Sequence, residues 1–206
     1  MLAVSDYWDE AGHPRCHMST SERPVLYLIA CGSRPAADLP DFIEYAQREG
    51  WMVCVIATPA ALKFVDMPRV EAITGWPVRH DYKQPDEPDT LPAPHAYLVA
   101  PATFNTINKW AIGASDTLAL GLLNEALGLR MPTVAVPFIN RGLAQHPAFV
   151  RAVRDLREAG VQLLYDPDRY LLPMPNQGPT SRDMFPWTAV RQALGALRAR
   201  VRGPAW

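Results

Sequence analysis

The chain has 206 residues, 49% hydrophobic and 20% charged, with a formal net charge of -1. That suits one domain with a substantial core, and its scattered basic residues form no basic stripe interleaved with aromatics, which excludes the usual nucleic-acid footprint. No apolar run reaches bilayer length, the first residues lack the basic-then-apolar order of a secretory signal, and Cys16, Cys31 and Cys54 show neither disulfide nor metal spacing, so a reducing, cytoplasmic setting without membrane contact is expected.

In chain order, residues 1–23 mix charge, Gly12 and Pro14 without periodicity and read as a mobile arm preceding one domain over 24–206. His13, Cys16 and His17 lack companions at ligand spacing, so no metal is expected. The apolar run 25–30 is a parallel strand buried on both faces. After Cys31, Gly32 and Ser33 comes a helix over 35–49 with Leu39, Phe42, Ile43 and Ala46 inward. Cys31 reads as a small buried hydrophobe rather than a nucleophile. A second strand over 51–58 leads to a short helix over 59–64. Residues 66–80 hold a helical turn, Gly75 and an extended piece, and 83–94, with four prolines, form a surface loop.

The strand over 97–100 breaks at Pro101 into a loop bearing Ala102, Thr103, Asn105 and Thr106. A helix is expected from Thr106 onward and a second, apolar one from about Ser115 to Leu127. Free N–H groups and the dipole at such a helix start favour anions and carbonyl-rich rings, although Asn and Thr are also ordinary caps. A strand over 133–137 precedes Asn140, which either faces a ligand or closes a turn. His146 and Pro147 start a helix to Ala159 with Phe149, Val150, Val153 and Leu156 inward, Gly160 stops it, and 161–165 form the last strand. Residues 173–186 are rich in turn formers, 187–201 form a closing helix, and the late arginines, Arg191, Arg198, Arg200 and Arg202, read as a solvated face. Strands alternating with helices imply an α/β fold, a doubly wound, flavodoxin-like parallel sheet with ligands at the carboxyl ends, at a switch point between the first and fourth strands.

The run Pro101-Ala102-Thr103-Phe104-Asn105-Thr106, followed by Gly113-Ala114-Ser115-Asp116-Thr117-Leu118, resembles the P-A-S-A-N-T and G-x-x-D-x-L signatures of the homo-oligomeric flavin-containing cysteine decarboxylases. Pro137 and Asn140 match two places of that superfamily's P-x-M-N-x-x-M-W motif, with Ile139, Leu143 and Ala144 replacing the Met, Met and Trp. The resemblance implies FMN, its phosphate held near Gly32, Ser33 and Thr58, with Ala102, Thr103, Asn105, Thr106 and Asp116 completing the cofactor site. It also implies catalytic roles for Asn105 and Asn140, a clamp at 173–186, and a trimer or a dodecamer of trimers. The family chemistry oxidises a cysteine thiol to a thioaldehyde, and loss of carbon dioxide then yields an enethiol. The family's catalytic histidine precedes the signature strand by about ten residues, where this chain has Glu87 and Pro88; His80 is the candidate retained. The expected function is oxidation or oxidative decarboxylation, by a lyase or oxidoreductase, of a cysteine-like or other small or peptidyl substrate. The alternatives are a flavin-binding sensor or carrier without turnover and a flavin prenyltransferase. That last branch carries a Lys where Asn105 stands.

Overall fold

The computed structural model describes residues 23–84, 86–88, 90–166, 172–175 and 179–201, without the side chains of 179–181. Five parallel strands make one sheet in the order β2-β1-β3-β4-β5: β1 Val25–Ala30, β2 Met52–Ala57, β3 Ala96–Ala102, β4 Thr133–Pro137 and β5 Gln162–Leu163. β1 and β3 are made of apolar and aromatic residues buried along their whole length because both faces are covered. Alternate residues divide between the two layers. Leu26, Leu28 and Ala30 join the core beneath α1 Leu39–Arg48, α2 Met67–Thr74 and α7 Trp187–Val201. Val25, Tyr27, Ile29 and Cys31 join the core beneath α3 Phe104–Ala111, α4 Leu118–Gly128 and α6 Pro147–Glu158.

Several expected boundaries move, each for a local reason. The helix expected over 35–49 is a 3-10 turn, Arg34–Asp38, followed by α1 with Pro40 in its first turn, where a missing N–H costs no helix bond. β3 does not stop at Pro101. It continues through a cis Ala100–Pro101 bond to Ala102, with its register against β4 shifting between Val99 and Ala102. α3 therefore starts earlier than expected, at Phe104, with Thr103 as its N-cap, and α4 begins only at Leu118, where Thr117 accepts from the Leu120 N–H. The extended piece after Gly75 is an isolated bridge between Arg79 and Ile56 rather than a strand, so the reversal of strand order falls between β1 and β3, not between a first and a fourth strand.

On α6, Phe149, Val153 and Leu156 point inward as expected, whereas Val150 is 58% exposed because it lies off that stripe. The late arginines are not all free on a solvated face. Arg198 lies over the Trp51 ring and donates to the Gly50 carbonyl, and Arg191 lies over Tyr45. The stacked guanidinium helps hold Trp51, which is fully buried with its indole N–H unpartnered at a cost of about 1–3 kcal/mol. The expected arm over 1–23 lies almost wholly outside the described residues.

Candidate functional site

Four strand ends meet along the carboxyl edge of the sheet. Thr58 N donates to the Ala30 carbonyl (2.8 Å), Cys31 N to Pro101 (3.3 Å) and Phe138 N to Ala102 (2.8 Å), so the ladder continues into the turns and locks them together. The fold thereby sets Gly32, Ser33, Thr58, Ala102, Thr103, Asn105, Thr106 and Asn140 along one edge, with Gly32, Ser33 and the 102–106 turn on adjacent strands and Thr58 and Asn140 on either side. Ala102 is fully buried and contributes backbone.

Gly32 and Ser33 form the first turn. A Cβ on Gly32 would lie 2.7 Å from Ala60 Cβ and 2.9 Å from Ala60 backbone atoms, so glycine is required where the β1 and β2 turns touch. The space it leaves is filled by Ala60 rather than kept for a ligand. Ser33 (φ -146°) and Thr58 (φ -69°) are extended N-caps of 3-10 turns, Arg34–Asp38 and Pro59–Lys63, that open with proline near the start. Neither side chain accepts a capping bond. By contrast, Asp66, Thr117, Asn140 and His146 all accept from amides of the helices they cap. Two hydroxyls in touching turns are therefore left available, one of them on a residue only 9% exposed, which suits a small anion such as a phosphate.

Asn105 is not a cap. It occupies the second position of α3, is exposed, and its side chain has no hydrogen bond among the described residues. The first helix bond runs from Ile107 N to Thr103 O (3.0 Å), leaving the N–H groups of Phe104, Asn105 and Thr106 without intrahelical partners. Thr103 and Thr106 join their hydroxyls at 3.1 Å. Asn140 does cap: its Oδ1 accepts from Leu143 N at 2.9 Å, so only its amide nitrogen remains to donate.

Three candidates have other settings. Asp116 is exposed and pairs with Lys109. His80 follows the Arg79 bridge on the outer side of β2, about 14 Å across three strand spacings from β3, and lines an open groove of about 410 Å³ formed by residues 77–83, 87, 88 and 90. Cys31 is fully buried, and that burial pushes its thiol up against the opposing effect of hydrogen bonds from Thr106 and Thr103; burial pushes Cys54 up to about 12. Neither is a thiolate nucleophile at neutral pH.

In the sequence His146 reads only as a helix start, yet its ring meets Phe104, the neighbour of Asn105, edge-on at 5.6 Å. Its Nδ1 accepts from Ala148 N (3.1 Å), so that nitrogen is engaged in capping α6. The one available signal was the His-Pro pair six residues after Asn140. Part of the expected clamp is also anchored here. Arg141 N donates to Pro173 O (2.9 Å), and Asp38, at the end of the turn that Ser33 begins, receives Arg182 and the Trp187 indole. Residues 176–178 of that stretch lie outside the described residues.

A parallel sheet covered by helices on both faces, with its strand order reversing between β1 and β3, defines a class, the doubly wound α/β domains. Residues 15–195 match the Flavoprotein family, and the chain belongs to it, in keeping with the resemblance drawn from its motifs. It is 34% identical over 120 residues to the coenzyme A biosynthesis bifunctional protein CoaBC of Mycobacterium tuberculosis (strain ATCC 25618 / H37Rv), covering 54% of this chain and 27% of that protein. The chain thus spans about a quarter of the length of that relative. The FMN-dependent cysteine decarboxylase SpaF superposes with a TM-score of 0.64 at 22% identity, over 85% of this chain and 98% of the other. The cypemycin decarboxylase CypD superposes at 0.65 and 21% identity, over 90% and 100%. These likenesses show the fold to be the one those enzymes share.

Proposed function

We propose that the protein binds FMN at this edge and catalyses oxidation or oxidative decarboxylation of a cysteine-like or other small or peptidyl substrate. The observation that carries the reading is the pair of hydroxyls, Ser33 and Thr58, held in touching turns and not spent on their own helices. They would bind the phosphate, helped by the N–H groups that open the two 3-10 turns. The amides that open α3, with Asn105, face the same edge and would hold the ring or a substrate carboxylate. Asn140 would donate its amide N–H to the substrate. When bound, FMN supplies the two-electron oxidation of a substrate thiol. Ala144 stands where the motif has Trp, and Ile139 and Leu143 replace its Met residues with branched side chains of similar volume, so a substrate pocket here would be differently shaped.

The test is direct. Purified protein, as isolated or after reconstitution with FMN, should be yellow, and cysteine-terminated peptides or thiols should bleach the flavin without oxygen. A protein that stays colourless after reconstitution overturns the reading.

A second reading, flavin binding without turnover, is favoured by the setting of two histidines: His80 lies beyond β2, away from the Asn105 turn, and the His146 Nδ1 is taken up by capping α6. It predicts yellow protein that no substrate bleaches. A homo-oligomer completing the site is also proposed, on the strength of apolar side chains left outside the core at Ile112, 81% exposed, and partly so at Leu122 and Leu127 of α4.

A further inference from the structure

We infer that the Thr103–Thr106 hydroxyl bridge, seated on Cys31, is the device that positions Asn105 and holds open the amides at the start of α3. The inference rests on the FMN reading for its functional meaning, but the bridge itself is testable without flavin. An N-cap threonine ordinarily turns its hydroxyl onto an amide of its own helix. Thr103 has the extended backbone of such a cap (φ -86°, ψ 161°) and makes no capping bond. Its hydroxyl instead meets Thr106 Oγ1 at 3.1 Å, across the one turn that carries Asn105.

Two consequences follow from that exchange. The amides of Phe104, Asn105 and Thr106 stay unclaimed, so the helix start keeps its donors for a ligand. Asn105, exposed and without a hydrogen bond of its own among the described residues, is also bracketed by two threonines whose χ1 angles are restricted by branching and by their mutual bond. Unlike Thr58, the Thr106 hydroxyl is already engaged within the fold, by Thr103 Oγ1, on a residue only 5% exposed. With Thr103 it also hydrogen-bonds the thiol of Cys31, a fully buried residue just past β1 whose backbone N–H donates to Pro101 O at 3.3 Å. The bridge therefore ties the Asn105 turn to the Gly32-Ser33 turn, across the switch point. Cys31 and Thr106 are positioning residues in this scheme; neither touches substrate.

The test compares Thr106→Val, which keeps the shape and removes the hydroxyl, with Thr106→Ser, which keeps the hydroxyl. FMN affinity by fluorescence quenching should fall about tenfold in Thr106→Val, the scale of one lost buried hydrogen bond, and return to within about twofold in Thr106→Ser. The bound flavin's absorption maximum and midpoint potential should shift in Thr106→Val and revert in Thr106→Ser, which a loss of stability alone would not produce. Wild-type affinity and spectrum in Thr106→Val, or equal impairment in Thr106→Ser, would overturn the inference. A thermal-unfolding cycle of Cys31→Ala, Thr106→Val and the double variant needs no flavin. Non-additive losses support the cluster, and additive ones overturn it. Failure of wild-type protein to bind FMN would strike the functional reading instead, leaving this cycle to judge the bridge.

Discussion

Gly32 and Ser33 are adjacent, yet their substitutions should separate stability from binding. Gly32→Ala places a methyl against Ala60 backbone atoms that cannot swing aside, so it should lower unfolding stability by about 1–3 kcal/mol in urea titrations. Ser33→Ala removes a hydroxyl that caps nothing; its melting temperature should hold while FMN affinity falls about tenfold, and unchanged affinity would count against the phosphate assignment. Asn105→Asp puts a carboxylate in the first turn of α3, where the dipole favours it, so folding should survive or improve slightly. Flavin reduction should nevertheless collapse, because the amide donor is gone and a negative charge faces an electron-rich ligand. Normal flavin chemistry in that variant would reduce Asn105 to scaffold. Cys54 supplies a pH signature. Its thiol is held neutral to about 12 in the fold but ionises near 9 when unfolded, so the unfolded chain has lost the proton that the native one keeps. Stability from this group is intact below pH 9 and declines as pH rises from there toward 12; Cys54→Ala should flatten that part of the urea-midpoint profile.

At the scale of elements, α7 is fastened to the sheet by one arginine more than by its polar face. Arg198 reaches the Gly50 carbonyl and covers Trp51, whereas Arg200 is exposed. Arg198→Ala should cost about 1–2 kcal/mol through the lost charged hydrogen bond and ring contact, and Arg200→Ala less than about 0.5 kcal/mol, both read from denaturant midpoints. Equal effects would show that the helix is held by its apolar face alone. The strand ends were legible from apolar runs of strand length, and so was the place of the site after them. The caps were not. Thr103, Asn105 and Thr106 are all acceptable capping residues, and only the path of β3 through Pro101 to Ala102 decides that Thr103 takes the cap position and Asn105 the exposed one.

For the whole molecule, the expected state is a homotrimer or a dodecamer of trimers. Ile112 projects where the α3 helix ends, and α4 keeps Leu122 and Leu127 only partly covered, as an interface would require. Sedimentation at micromolar concentration should give a trimer or larger species with flavin bound. A flavin-bound monomer would show that one chain completes the site.

By itself the amino-acid sequence determined the layering and pointed to the carboxyl edge as the place of the proposed site. Continuous apolar runs of strand length, alternating with amphipathic helices, suit a parallel sheet covered on both faces, and the P-A-T-F-N-T stretch names the loop proposed for the site. The tertiary structure decided which polar atoms remain free there. Whether a hydroxyl caps its own helix, as Thr117 does, or is left available, as on Ser33 and Thr58, depends on backbone angles and neighbouring turns rather than on residue type. The distance of His80 from β3 was likewise settled by strand order, which brings residues together or holds them apart without regard to their spacing along the chain.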